Sequence, residues 1–171
     1  MGRVIKFLKR KWVYFLINHI YNESSNFNRK NKLLKSIGIK IDDGSKIVGP
    51  LHNTANLIIG KNCWIGRNFS AEGNGDVVIE DNCDIAPNVT ILTGSHKIGG
   101  THRRAGEGYN CKTTIGSGTW LCANVTVCPN VNIGKGNVVA AGTVVIKSTP
   151  SNFLICGVPG TKKKELSCAE D

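Results

Sequence analysis

The sequence has few aromatic residues, few prolines and no long apolar run. Aromatic residues make up 6% of its 171 positions, whereas glycine occurs 20 times. This composition argues against an ordinary helical or α/β globule, although the chain is long enough for one domain with a sizeable core. The apolar core near the N-terminus, residues 12–17, is far too short to span a bilayer. A small-residue cleavage site after a clean apolar region is missing, which argues against a signal peptide.

The cysteines do not form a pattern typical of disulfide frameworks or zinc sites. Their number, seven, is odd, and no two have CxxC spacing. We therefore expect reduced thiols in a cytosolic protein. Cys63 and Cys83 fall at equivalent positions of the repeat described below, which predicts that they are small packing residues.

Acidic residues are scarce, because 12 Asp and Glu stand against 22 Lys and Arg, a net charge of +10. Such a charge suits a phosphate-rich ligand or an anionic membrane surface, or it is simply a solvated basic surface. Nucleic acid is the least favoured partner, since the basic residues are not interleaved with aromatics in a recognisable module. The first 35 residues hold nine Lys and Arg against one Glu. With Trp12, Tyr14 and Phe15, they predict a basic, aromatic helical segment over residues 1–38. This segment either packs on the body of the protein or a neighbouring subunit, or lies in a membrane interface.

From about residue 39 the chain repeats every six residues. Aliphatic side chains recur at this interval at Ile59 and Ile65, at Ile79, Ile85 and Ile91, and at Ile115, Leu121, Val127, Ile133, Val139 and Val145. A period of six is neither helical nor simple strand alternation; it is typical of hexapeptide β-helix repeats. Each hexapeptide is a short strand plus a turn, and three make one triangular coil. Stacked coils bury a continuous apolar ladder, so we predict a mainly β, parallel β-helix over residues 39–155.

The repeat is interrupted between residues 94 and 112. This stretch has no aliphatic ladder and is rich in Gly, Arg, His and Lys. We predict a loop extruded from one corner of the prism, after which the coil resumes. Loops that leave a rigid scaffold often carry function, although a tolerated surface insertion would have the same pattern.

Three stretches resemble the hexapeptide-repeat acyltransferase superfamily, and within it the maltose, galactoside, nodulation-factor, capsule and O-antigen O-acetyltransferases. They are "IAPNVTILTGSH" at 85–96, "TTIGSGTWLCANVTVCPNVNIGKGNVVAAGTVV" at 113–145 and "ICGVPGTKKKEL" at 155–166. The resemblance covers residues 46–166 and implies a left-handed parallel β-helix with a basic C-terminal extension over 156–171. It also implies an acetyl-CoA-dependent homotrimer, without a metal, whose active sites lie in the clefts between prisms.

The resemblance also implies roles for single residues. His96 takes the place of the general base, or it is a structural histidine of the turn. His102, in the middle of the loop, is the competing histidine, although members of the family need not have it. The backbone amide of Ala123 takes the place of the oxyanion donor. Ala141 leaves room for the cofactor arm. Lys147 and Lys164 match basic positions that meet the phosphates of CoA.

At other positions the resemblance leaves alternative roles open. Glu72, or alternatively Asn74, is in the neighbourhood of a side chain that orients the acceptor sugar. Arg103 and Arg104 cover either an anionic sugar or part of the cofactor, or they are solvated charges. Trp120 walls the pantetheine or acceptor channel, or packs in a contact between subunits.

These residues predict an O-acetyltransferase that acts on a sugar hydroxyl, by direct attack with His96 as the base. The N-terminal segment differs from the helical domain of the maltose and galactoside enzymes, which favours a surface-polysaccharide precursor as the acceptor. We expect a cytoplasmic protein, with the inner face of the membrane as an alternative location. The alternative functions are acetylation of serine, an amino sugar or an antibiotic, and a non-catalytic or metal-binding scaffold.

Overall fold

The computed structural model describes residues 2–167, which form two helices followed by a triangular β-helix. Helix α1 spans Gly2–Phe15 and continues into a π-helical turn, Leu16–Ile20. Helix α2 spans Phe27–Lys35. None of the helices in this part of the chain is long and apolar enough to cross a membrane.

The β-helix has three parallel faces, which we name A, B and C in the order in which the chain visits them. The strands of face A are β1 (Lys40–Ile41), β4 (Asn56–Ile59), β7 (Asp76–Ile79), β12 (Lys112–Ile115) and β15 (Asn132–Ile133). Those of face B are β2 (Lys46–Ile47), β5 (Trp64–Ile65), β8 (Asp84–Ile85), β13 (Trp120–Leu121), β16 (Val138–Val139), β18 (Phe153–Cys156) and β19 (Thr161–Glu165). Those of face C are β3 (Leu51–Asn53), β6 (Phe69–Glu72), β9 (Thr90–Leu92), β14 (Thr126–Val127) and β17 (Val144–Val145). Among the described strands of these three faces, only β19 runs antiparallel to its neighbour, β18.

The six-residue period predicts the core correctly. The aliphatic positions pair with one another from coil to coil, as in Ile79 with Ile115 and Ile85 with Leu121, and their side chains are buried inside the prism. The result is the predicted left-handed β-helix, of about six turns. Cys63 and Cys83 are buried packing residues, and the six cysteines in the described part of the chain are free thiols. Cys168 lies outside the described residues.

The corners between strands rely on residues that tolerate a left-handed backbone. Asn62, Asn82 and Asn124 have φ between 54° and 60°, a region that asparagine enters more easily than most residues. Their side chains also link coils, since Asn88 Nδ2 donates to Asn124 Oδ1 at 3.1 Å. Successive corners therefore stack in register, which holds every insertion at a fixed position around the prism.

Helix α1 and the π-helical turn pack on face C, whereas α2 lies against β1 of face A and β2 of face B. Val13 and Ile17 are buried against the prism, and the guanidinium of Arg10 donates to the carbonyl of Asn53 at 2.9 Å. Asn18 fixes the next turn by donating to the carbonyl of Leu51 and accepting from its amide. One side of α1 is thus attached to the body of the protein, as the first of the two sequence interpretations requires.

Candidate active site

The interruption in the repeat is an ordered β-hairpin rather than an irregular loop. Strands β10 (Gly94–Ile98) and β11 (Ala105–Asn110) pair antiparallel at the corner between faces C and A. We name this the hairpin corner. His96 lies on β10 opposite Gly108, and its side chain is exposed. The hairpin returns to the coil before β12, so that 111 is the only residue between them.

The position of the His96 ring determines its tautomer. Its Nδ1 lies 2.9 Å from the carbonyl oxygen of Gly106. A carbonyl oxygen only accepts hydrogen bonds, so Nδ1 must carry the proton of the neutral ring. Nε2 is then left with a free lone pair, which is the arrangement that a general base needs. His102, at the tip of the hairpin, is exposed and makes no side-chain hydrogen bond within residues 2–167.

We expect Gly106→Ala to impair the positioning of His96. A Cβ atom at Gly106 would lie 2.9 Å from the carbonyl oxygen of Lys97 and 3.4 Å from Cα of Gly99, so the backbone that holds His96 must shift. The expected result is a fall in kcat of about tenfold or more, measured by release of free CoA. Gly100→Ala is the matched control, since a Cβ there meets nothing within 4 Å. If both variants keep wild-type turnover, the Gly106 carbonyl does not position the base.

Glu72 and Asn74 lie at the hairpin corner, one coil from the hairpin. The Glu72 carboxylate accepts from Thr54 Oγ1 at 2.8 Å and from Ser70 Oγ at 2.7 Å. These two hydroxyls fix the carboxylate, whose remaining lone pairs can accept from a ligand hydroxyl. The Asn74 amide N–H instead donates to Asn110 Oδ1 at the base of the hairpin. The geometry therefore favours Glu72 for contact with an acceptor and gives Asn74 a structural bond.

A groove of about 510 Å³ runs between α1 and face C and reaches Glu72. Its walls include Phe7, Arg10 and Tyr14 from the helix. Burial raises the pKa of the Tyr14 hydroxyl, partly offset by the charge of Arg10, so the phenol stays protonated and donates to the Asn53 carbonyl. Sequence reasoning did not identify this groove. The available signal was the helical spacing of Phe7, Arg10, Tyr14 and Asn18, which places them along one side of α1 and of the π-helical turn that continues it.

A second group of predicted residues lies elsewhere. Ala123 and Ala141 occupy stacked turns between faces B and C, where the Ala123 carbonyl accepts from the Gly142 amide at 2.9 Å. We name this the amide corner. Neither alanine donates its own N–H to an acceptor within residues 2–167. Both amides are therefore available to a ligand, and the methyl side chains leave the approach open.

The remaining predicted residues are distributed over the outside of the prism. Trp120 is 51% exposed on face B, where it shares an open cavity of about 490 Å³ with Trp64. Lys147 follows β17, and Lys164 lies on β19; both are exposed. Arg103 and Arg104 are exposed beside the tip of the hairpin.

One protomer does not bring all of these residues together. The strands of face C begin at the amide corner and end at the hairpin corner, so His96 and Ala123 lie at opposite ends of that face. Within residues 2–167, no three His, Cys, Asp or Glu side chains are grouped closely enough to hold a metal ion. The predicted site residues of one protomer thus form two separate groups, one with an imidazole and a carboxylate at the hairpin corner and the other with free amides at the amide corner.

Known proteins share both the repeat and the overall shape. Residues 112–147 match the family model described as bacterial transferase hexapeptide (six repeats). The galactoside O-acetyltransferase of Escherichia coli K12 is 32% identical over 168 residues, 95% of this chain and 80% of that one. The galactoside O-acetyltransferase of Lactococcus lactis is 31% identical over 139 residues, 80% of this chain and 67% of that one.

A solved structure of a galactoside acetyltransferase in complex with coenzyme A matches with a TM-score of 0.82 and 29% identity. The match covers 97% of this chain and 83% of that one, so it includes the N-terminal helices as well as the prism. The similarity therefore extends beyond residues 46–166, and the N-terminal segment does not set this chain apart from the galactoside acetyltransferases as the sequence suggested. With nearly its whole length aligned to such enzymes, the chain belongs to the hexapeptide-repeat acyltransferases, and it is an acetyltransferase.

Proposed function

We propose that the protein transfers the acetyl group of acetyl-CoA to a hydroxyl of a sugar, with His96 as the general base. The observation that carries this proposal is the hydrogen bond from His96 Nδ1 to the Gly106 carbonyl, which leaves Nε2 free to accept a proton. The names of the galactoside O-acetyltransferase relatives support the acceptor class. The coenzyme A complex of a similar enzyme supports the donor.

The chemistry needs no covalent enzyme intermediate. His96 Nε2 removes the proton of the sugar hydroxyl as its oxygen attacks the thioester carbonyl carbon. The Ala123 N–H donates to the oxyanion that forms on that carbonyl. When the C–S bond breaks, the imidazolium returns the proton to the departing sulfur. The products are an O-acetyl sugar and free CoA, and His96 is neutral again.

We assign the complete site to the cleft between two copies of the chain, in a homotrimer. His96 and Ala123 lie at opposite ends of face C in one protomer, so the base of one copy must meet the amide corner of the next. The free amide of Ala141 and the exposed ammonium groups of Lys147 and Lys164 suit the pantetheine and phosphates of acetyl-CoA. Trp120 would line the same cleft.

The acceptor that we propose is a precursor of a surface polysaccharide, modified in the cytoplasm at the inner face of the membrane. Glu72 would orient its hydroxyls. Arg103 and Arg104, on a hairpin that projects from the prism, would reach an anionic group of the acceptor or of the donor. The net charge of +10 supports an anionic ligand or surface.

An acceptor panel tests this function. Release of free CoA from acetyl-CoA is measured with methyl galactoside, maltose, serine, glucosamine and an aminoglycoside antibiotic. We expect methyl galactoside and maltose, which have hydroxyls and no amine, to raise the rate at least tenfold over the rate without acceptor. A faster rate with serine or with an amine, and N-acetyl rather than O-acetyl products, would show that the acceptor class is wrong. Hydroxylamine, which cleaves O-acetyl esters and spares N-acetyl amides, distinguishes the products.

A further inference from the structure

Helix α1 presents an apolar surface on the side that faces away from the prism. Ile5, Leu8, Trp12 and Phe15 are 58%, 60%, 60% and 45% exposed. At about 100° per residue, these side chains fall in one sector of the helix, opposite Arg10, whose guanidinium donates to face C. The Trp12 and Phe15 rings stack on each other, with centroids 5.5 Å apart. Four large apolar side chains exposed side by side on a surface helix indicate an interaction site.

The charges around this patch are of one sign. Lys9 and Lys11 fall at the two edges of the apolar sector, and both are exposed. Arg3 and Lys6 add two more cations, while Glu23 is the first acidic residue in the chain. Docking a second copy helix to helix through this patch would bring two such basic helices together with no acid of their own to compensate. A bilayer with anionic headgroups matches both the apolar sector and its cationic edges.

We propose that α1 docks the enzyme on an anionic membrane surface through Ile5, Leu8, Trp12 and Phe15. The helix lies in the interface without crossing it, with Lys9 and Lys11 at the level of the headgroups. Lysine stems can lie along the apolar zone while their ammonium groups stay in water. The part of α1 that is attached to face C then holds the prism at the membrane.

Docking in this way places the acceptor groove beside the bilayer. Phe7 and Lys11 border the apolar sector and also line the groove that reaches Glu72. The acceptor class that this arrangement favours is a glycan attached to a membrane lipid, whose sugar enters the groove from the bilayer surface. This step rests on the proposed function, whereas the docking itself does not.

Vesicle binding of the full-length protein tests the docking. Sedimentation is measured with vesicles of phosphatidylcholine alone and with about a quarter phosphatidylglycerol. We expect at least tenfold tighter binding to the anionic vesicles than to phosphatidylcholine alone. High salt should abolish this difference, because it screens the charges. Replacing Leu8 and Trp12 together by Gln should weaken binding about tenfold or more. Lys9→Gln with Lys11→Gln should weaken binding about tenfold or more, and on anionic vesicles only.

A matched control and a folding check accompany these variants. Ile98 is 89% exposed on the hairpin, so Ile98→Gln removes an exposed aliphatic side chain remote from α1 and should bind vesicles like wild type. Circular dichroism and thermal unfolding should match wild type in all variants, since the replaced side chains are exposed. Unchanged binding after loss of Leu8 and Trp12 would overturn the proposal. A fall in the oligomer mass of that variant in solution would also overturn it, because a second copy would then cover the patch.

Turnover assays separate the docking from the acetyl transfer. Methyl galactoside in water should be acetylated equally by wild type and the Leu8 and Trp12 variant, whereas dodecyl galactoside in anionic vesicles should be acetylated faster by wild type. Equal rates on the embedded acceptor would overturn the lipid-linked acceptor class. Turnover without vesicle binding would remove the docking and leave the proposed function intact. Vesicle binding without turnover on any sugar would remove the proposed function and leave the docking intact.

Discussion

His96→Ala is expected to lower kcat by about 10²- to 10⁴-fold, the range that general-base catalysis contributes. The Michaelis constant for acetyl-CoA should change little, because the imidazole acts on the proton of the acceptor. The substitution removes an exposed side chain and leaves the ladder of aliphatic residues intact, so the protein should fold normally. The rate is measured as free CoA released with a saturating sugar acceptor.

Two further variants show whether the loss comes from the proton acceptor. His96→Asn keeps a side-chain donor for the Gly106 carbonyl but has no basic nitrogen, so it should be as inactive as His96→Ala. His102→Ala removes the other exposed histidine of the hairpin and should stay within about twofold of wild type. Turnover within tenfold of wild type in both His96 variants would exclude His96 as the base.

The repeat was predictable because every hexapeptide has the same pattern of residue types. An aliphatic residue, a small residue and a turn former recur at fixed spacing, and stacking turns this period into a buried ladder. Phe69 shows how the pattern absorbs an exception: its bulky ring is fully buried beside Ala71, which takes the ladder position with a small side chain. Large and small residues compensate within one strand, which a period count alone does not reveal.

The hairpin was located by the sequence, but its structure was not. Between residues 94 and 112 there is no aliphatic alternation, because almost every side chain of both strands points into solvent. Backbone pairing between β10 and β11 stabilises the hairpin instead. Such pairing does not require any pattern of apolar and polar side chains, so the sequence does not reveal it. The same limit applies to the groove, which depends on contacts such as Arg10 to Asn53, 43 residues apart.

The division of the candidate site between two corners also required the structure. The sequence places His96 and Ala123 only 27 positions apart (123 − 96), and nothing in that spacing says which face each belongs to. Counting strands around the prism assigns them to opposite ends of face C. A single chain with both groups far apart is a strong reason to expect a site shared between subunits.

Ala123→Pro tests the amide corner by deleting a single N–H. Pro87 already occupies the equivalent turn one coil below, since Ile85 pairs with Leu121 in register. The turn therefore accepts proline, and the variant loses the free amide without losing the fold. We expect kcat to fall about 10²- to 10³-fold, the usual effect of removing one oxyanion donor. Ala123→Ser keeps the amide and should remain close to wild type.

Mixing the two inactive variants should restore activity if the site is shared. A His96→Ala subunit still supplies a normal amide corner, and an Ala123→Pro subunit still supplies a normal base. In a cyclic trimer assembled at random from equal amounts, three-quarters of the trimers are mixed and each has one intact site of three. The expected rate is therefore about a quarter of wild type, from parents with less than about a hundredth.

The two parent variants are unfolded together, mixed and refolded, and release of free CoA is compared with that of each parent treated alone. Refolded wild type gives the reference rate. A mixed sample no more active than the mean of its parents would mean that base and amide come from the same subunit. The substrates would then have to span face C of one protomer, from the hairpin corner to the amide corner. Recovery near a quarter would instead locate each active site where the hairpin corner of one prism meets the amide corner of the next.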